Sequence, residues 1–149
     1  NPSISGLPAF LTRDPGLNSG MMIVQVASAS LVSENKVLSH PASVDSIPTS
    51  ADKEDHVSMG ATAARKSRQI LNNLRHVLAM ELLCASQAID LLRPLRSSKP
   101  LEAVQELIRS VVPPIGDDRI FHHDILAINT LLAEGKILAA AEGVIRELQ

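Results

Sequence analysis

Between Pro48 and Pro94 no proline interrupts the chain, and apolar residues recur through that window mostly at three- and four-residue steps. Val57, Ala61, Ala64, Leu71, Leu74, Leu78, Leu82, Ala85, Ile89 and Leu92 mark one face, with a single wider gap. This pattern predicts one very long central helix over about residues 52–92. Arg65, Lys66, Arg68, Gln69, Asn72, Asn73 and Arg75 make its first half polar on the other side. From Val77 to Leu92 only Glu81, Ser86, Gln87 and Asp90 are clearly polar, and a helix apolar nearly all round needs neighbours on several sides. The expectation is an all-α helical bundle whose core other subunits help to complete.

The remaining elements follow from the same periodicity and from turn residues. Pro2, Gly6, Pro8, Pro15, Gly16 and Gly20 predict an irregular N-terminal segment, with Asp14-Pro15-Gly16 as a turn. Met21 to about Leu38 reads as a helix buried on more than one side, with Asn18 or Ser19 available as its cap and Pro41 beyond its end. Thr49 and Asp52 have capping-box spacing, and Asp52, Glu54 and Asp55 would suit the positive end of the long helix. Arg93–Pro100 reads as a basic linker, Leu101–Val112 as a helix with Pro100 at its start, and Pro113-Pro114 as its stop. A helix capped by Asp117 or Asp118 is expected to run to about Glu134 and stop at Gly135. A last short helix, Ile137–Leu148, is expected to be interrupted by Gly143.

Composition narrows the class. The chain has 149 residues, 45% hydrophobic, with no Trp or Tyr and only Phe10 and Phe121 as aromatics, so small aliphatic side chains must do the packing. That length fits a single domain. A net charge of -2 and a pI near 6.2 give no basic footprint for nucleic acid or an anionic membrane. Cys84 stands alone, which excludes an internal disulfide and a multi-cysteine zinc site and fits a cytoplasmic location. No apolar run is long enough to span a bilayer. The opening Asn-Pro-Ser-Ile-Ser-Gly-Leu-Pro-Ala-Phe, with no initiator Met, leads us to expect a fragment of a longer chain.

Several residues invite a chemical reading. Asp55, His56 and Ser58 have triad side chains, but on a helix His56 would point about 100° away from Asp55, and no nucleophile elbow is present. His122-His123-Asp124 lacks the i, i+4 spacing of a zinc helix, so no metal site is expected. Cys84 falls in the most apolar part of the long helix and reads as a packing residue. Arg93, Arg96 and Lys99 read as a solvated cluster, and Gly16-Leu17-Asn18-Ser19-Gly20 as a turn rather than a phosphate cradle. Glu54 is the best candidate because it follows a long polar loop carrying Asp45, Thr49 and Ser50 and leads into a rigid helix.

Longer motifs carry a family resemblance. Asn1–Ile23, then Leu31-Val-Ser-Glu-Asn-Lys36, His40-Pro-Ala-Ser-Val-Asp-Ser-Ile-Pro-Thr-Ser-Ala51 and Glu54-Asp-His-Val-Ser-Met-Gly60, resemble the histidine-specific branch of the aromatic amino acid ammonia-lyases. Ala79-Met-Glu-Leu-Leu-Cys-Ala-Ser-Gln-Ala-Ile-Asp90 is similar to that family's long central helix. The resemblance implies the C-terminal segment of a mostly helical homotetramer that eliminates ammonia from L-histidine to give trans-urocanate in histidine degradation. It also implies a methylidene-imidazolone prosthetic group formed from an internal Ala-Ser-Gly, with no metal.

No Ala-Ser-Gly occurs in these 149 residues: Ala27-Ser28-Ala29, Ala42-Ser43-Val44 and Ala85-Ser86-Gln87 all differ from it. The family's catalytic tyrosines are absent as well. The resemblance therefore implies that the electrophile lies outside this chain, that its partners are the rest of the lyase chain and the other subunits, and that the isolated fragment is inactive. It carries one site residue over, Glu54, as the carboxylate beside the substrate imidazole; the phenylalanine-specific branch typically has Gln there. Lys53 departs from the Gln usual in relatives, and His56 matches the motif without an assigned role. The alternatives are a non-catalytic helical oligomerisation module, or the same segment of a phenylalanine or tyrosine ammonia-lyase or an aminomutase.

Overall fold

A computed structural model of the chain describes residues 2–147, and its regular elements are all helical. They are α1 (Pro2–Ser5), α2 (Met22–Leu38), α3 (Gly60–Leu91), α4 (Lys99–Arg109), α5 (Phe121–Ala133) and α6 (Lys136–Glu147), with a 3-10 turn at Ala9–Leu11. At 32 residues α3 is about 48 Å long by the usual rise of an α-helix. It is the spine. Helices α2 and α5 pack along it, and α6 packs on α4 and α5.

The core sits at the C-terminal half of α3, where the sequence loses its polar face. Ala79, Met80 and Leu83 of α3 meet Val24 of α2, Ile108 of α4, and Phe121, Ile125 and Ile128 of α5. Leu83, Ile108 and Ile128 are wholly enclosed. Along the N-terminal half Leu71 is 64% exposed and Leu74 is exposed too, as is Leu78 just past the midpoint.

Four polar side chains tie this core to the elements around it. Gln87 is buried; its amide donates to the carbonyls of Ile115 (2.9 Å) and Leu11 (3.3 Å) and accepts from the Ile115 N–H (3.0 Å). Asp90 accepts from Gln105 at 2.9 Å and from Arg109 Nε at 2.7 Å, which joins α3 to α4.

The structure changes several boundaries. The long helix starts at Gly60, not near residue 52, because Thr49 and Glu54 have already paired their backbones: the Thr49 N–H donates to the Glu54 carbonyl at 2.9 Å and the Glu54 N–H returns the bond at 3.2 Å. The capping box at Thr49 and Asp52 is therefore not formed, and Asp52, Glu54 and Asp55 lie outside the helix dipole's first turn.

Neither expected cap acts on its own helix. Asp118 receives the N–H groups of Ser19 (2.7 Å) and Gly20 (2.8 Å), while Asn18 Oδ1 accepts the Asp118 N–H (3.1 Å). The carboxylate expected to start α5 instead fixes the approach to α2. Helix α4 begins at Lys99, with Pro100 in its first turn, and ends at Arg109, short of Val112. Helix α6 runs unbroken through Gly143, where packing on α4 and α5 outweighs a helical glycine's penalty of about 1 kcal/mol. The expected end at Leu148 lies outside the described residues.

Candidate functional site

The polar stretch 39–59 joins α2 to α3 and folds back on itself. Helix α2 ends with Ser39, whose N–H and hydroxyl both bond to the Asn35 carbonyl. The next residue is tied down from the far side, where Lys66 of α3 donates to the His40 carbonyl. Glu34 accepts from Gln69 (3.2 Å) and Asn73 (2.9 Å), so the two helices are held together by polar side chains just before the loop departs.

The loop closes on itself at two levels. Ser46 Oγ accepts the Val57 N–H at 3.0 Å, and beyond that rung lies the Thr49–Glu54 backbone pair. At the tip Ser50, Ala51 and Asp52 take φ values of +56°, +53° and +63°. Left-handed backbone costs a non-glycine residue roughly 1–2 kcal/mol, so three in succession hold strain that the two rungs must sustain. Every residue from Ile47 to His56 is exposed, whereas Ser46 and Val57 are half-buried.

Glu54 stands on the outgoing arm of this hairpin, exposed, with its backbone fixed by Thr49 and its carboxylate making no hydrogen bond or ion pair among the described residues. Lys53 is also exposed, and its N–H donates to the Ser50 carbonyl. A cleft of about 360 Å³ opens at the foot of the hairpin, lined by Ser43, Asp45, Ser46, His56, Ser58 and Met59 among others. The structure thus brings Asp45, His56 and Ser58 to one cleft and leaves Glu54 outside it. Ser46 was not visible from the sequence; polar density in the loop was the only signal.

The other candidates resolve individually. Asp55, His56 and Ser58 precede α3, so the helix-face argument against a triad does not apply; among the described residues no hydrogen bond links the three side chains, and Ser58 Oγ accepts the Gly60 N–H at 3.3 Å. The rings of His122 and His123 meet edge to face with centroids 5.7 Å apart, while Asp124 is buried against Arg119 Nε at 2.8 Å. Among the described residues no group of three or more His, Cys, Asp or Glu side chains is placed to hold a metal ion.

Burial pushes the Cys84 thiol up, with Glu81 adding to the effect, which disfavours the nucleophilic thiolate. The basic linker is not simply solvated. Arg93 forks onto both oxygens of Glu102 at 2.9 Å each, because Glu102 sits in the first turn of α4 and also accepts the Ser97 N–H at 2.7 Å. Gly16-Leu17-Asn18-Ser19-Gly20 is an ordered turn, closed by the Leu17 and Asn18 N–H groups on the Asp14 carbonyl.

Comparison with known proteins gives a consistent result. The family model described as aromatic amino acid lyase matches residues 1–110. A histidine ammonia-lyase of Symbiobacterium thermophilum is 56% identical over 149 residues, which is 100% of this chain and 29% of that protein. Among solved structures, a histidine ammonia-lyase from Trypanosoma cruzi superposes with a TM-score of 0.91 at 52% identity, covering 96% of this chain and 28% of the other. A tyrosine aminomutase from Streptomyces globisporus does so with a TM-score of 0.85 at 40% identity, covering 91% of this chain and 26% of the other. The chain thus spans less than a third of the length of these proteins.

Proposed function

This chain belongs to the aromatic amino acid lyase family, and we propose that the protein carrying it eliminates ammonia from L-histidine to give trans-urocanate. The supporting observation is the identity to histidine ammonia-lyase, 56% along the whole chain against 40% to the aminomutase. In this reading Glu54 is the chain's contribution to substrate binding. A carboxylate accepts a hydrogen bond from an imidazole N–H and favours the protonated ring, and both effects orient the substrate. An exposed carboxylate with no partner among the described residues, carried on a pinned backbone, suits that task.

The residues here do not fit the family's methylidene-imidazolone group. Of the Ala-Ser pairs, two lie in α2, one in the 39–59 loop and one in α3 with Ser86 buried, and none is followed by glycine. The group would have to come from residues outside these 149, with further subunits of a homotetramer closing the site. The exposed Leu71, Leu74 and Leu78 support additional protein along α3. A cytoplasmic location is part of the same reading; among the described residues no helix is long and apolar enough to cross a membrane.

The test is Glu54→Gln in a full-length lyase carrying this segment, followed by urocanate absorbance, with the 149-residue chain alone as the inactive blank. Hydrogen bonds to charged groups contribute roughly 1.5–3 kcal/mol, which corresponds to a loss of about 10- to 150-fold in kcat/KM for histidine. Unchanged kinetics would remove Glu54 from the site.

A further inference from the structure

We infer that Ser46 is a positioning residue for Glu54, acting through the Val57 backbone at the foot of the hairpin; this rests on the reading of Glu54 as the substrate-binding carboxylate. Residues 47–56 are exposed without a break, so among the described residues the arm that carries Glu54 gains no support from side-chain burial. Its geometry depends on the two rungs that close it. The upper rung is the mutual Thr49–Glu54 backbone pair, which any residues at those positions could make. The lower rung is the only one made by a side chain: Ser46 Oγ accepts the Val57 N–H at 3.0 Å.

Ser46 is itself held in register. Its own N–H donates to Asp45 Oδ1 at 2.7 Å, and it is half-buried, as is Val57. The strained tip adds a restoring force. Ser50, Ala51 and Asp52 all lie at positive φ, and each would relax toward ordinary backbone if the arms could separate. Removing the lower rung leaves only backbone bonds against that relaxation, the two of the Thr49–Glu54 pair and the Lys53 N–H to the Ser50 carbonyl at the tip. The Glu54 carboxylate would then sample several directions rather than one, and binding pre-organisation would be lost without loss of the carboxylate itself.

The experiment is a double-mutant cycle in the full-length lyase, with Ser46→Ala, Glu54→Gln and the pair, read as kcat/KM for histidine. A positioning role predicts that Ser46→Ala lowers kcat/KM about 3- to 10-fold, the factor set by one hydrogen bond, and has little effect once Glu54 is Gln. Ser46→Thr, which keeps the hydroxyl, should restore most of the activity. Equal losses in both backgrounds, or none in either, would overturn the inference.

Amide hydrogen exchange over residues 47–57 is the second readout. Ser46→Ala should accelerate exchange there, and unchanged protection would overturn the clamp whatever the kinetics show. A silent Glu54→Gln identifies failure of the underlying reading instead, because exchange would still respond to Ser46.

Discussion

Gln87→Met asks whether one buried amide holds the loops onto the core. Gln87 is 3% exposed, and its side chain makes three bonds to backbone: two to Ile115, at 2.9 and 3.0 Å, and one to Leu11 at 3.3 Å. Methionine preserves the length and the packing but leaves the Ile115 N–H and two carbonyls without this partner. A net hydrogen bond contributes about 1 kcal/mol, and orphaned groups cost about 1–3 kcal/mol when fully buried. Ile115 and Leu11 are only half-buried, so the lower part of that range applies. Extra apolar burial by Met returns roughly 0.5–1 kcal/mol, which leaves a net destabilisation of about 2 kcal/mol. Urea denaturation followed by far-UV circular dichroism should show this as a midpoint lowered by roughly 1 M at unchanged slope.

Gln87→Glu adds a sign to the same test. Its carboxylate would face the Leu11 and Ile115 carbonyls in a dry site, so its folded pKa would rise above the unfolded value. Stability relative to the parent would then be greatest below the unfolded carboxyl value of about 4.3 and would fall as pH rises through the raised folded value. A cost below about 0.5 kcal/mol for the methionine variant, or a glutamate penalty independent of pH, would refute the claim that this amide ties the loops down.

Two further outcomes follow from the packing. The Arg93 guanidinium, with the Ser97 N–H, holds the Glu102 carboxyl below the usual range, so its contribution is present above the ordinary carboxylate value near 4.5 and is lost as pH falls through the lowered folded value. Glu102→Gln should therefore reduce thermal stability at neutral pH and converge with the parent in acid; a difference that persists in acid would contradict the ion pair. Gly20→Ala should destabilise by more than about 2 kcal/mol, because φ is +53° and the new Cβ would lie 2.5 Å from the Phe10 carbonyl oxygen, which already receives the Met21 N–H. A melting temperature within a degree of the parent would show that the segment before α2 can move aside.

The parts of this fold that were readable in the sequence are those set by periodicity. The long helix was legible from its spacing, and the core lies where its polar face gives out, but on the face of Ala79, Met80 and Leu83; the stripe through Leu78, Ala85 and Leu92 that the spacing marked stays exposed. The parts that were not readable depend on partners distant in the chain or on backbone without a residue signature. Ser50-Ala51-Asp52 contains no glycine or asparagine, so nothing announced three left-handed residues, and the helix start was placed some eight positions early. Asp118 had the right type and spacing to cap α5, but its carboxylate is engaged by Ser19 and Gly20. Arg93 looked solvated because Glu102 lies nine residues on, across a turn. Glu54 came from likeness to a family, since position in a polar loop alone would not have separated it from Asp52 or Asp55.

The link between Asn18, Ser19, Gly20 and Asp118 joins residues 98 to 100 positions apart. Closing a loop of that size carries an entropy cost that grows with the logarithm of its length, and the bond gives nothing back until closure is nearly complete. The core carries the same separation, since Val24 of α2 shares it with Phe121 and Ile125 of α5. The clasp and that core therefore close one and the same long loop, and the polar bonds add to a closure whose entropy the apolar contacts already meet.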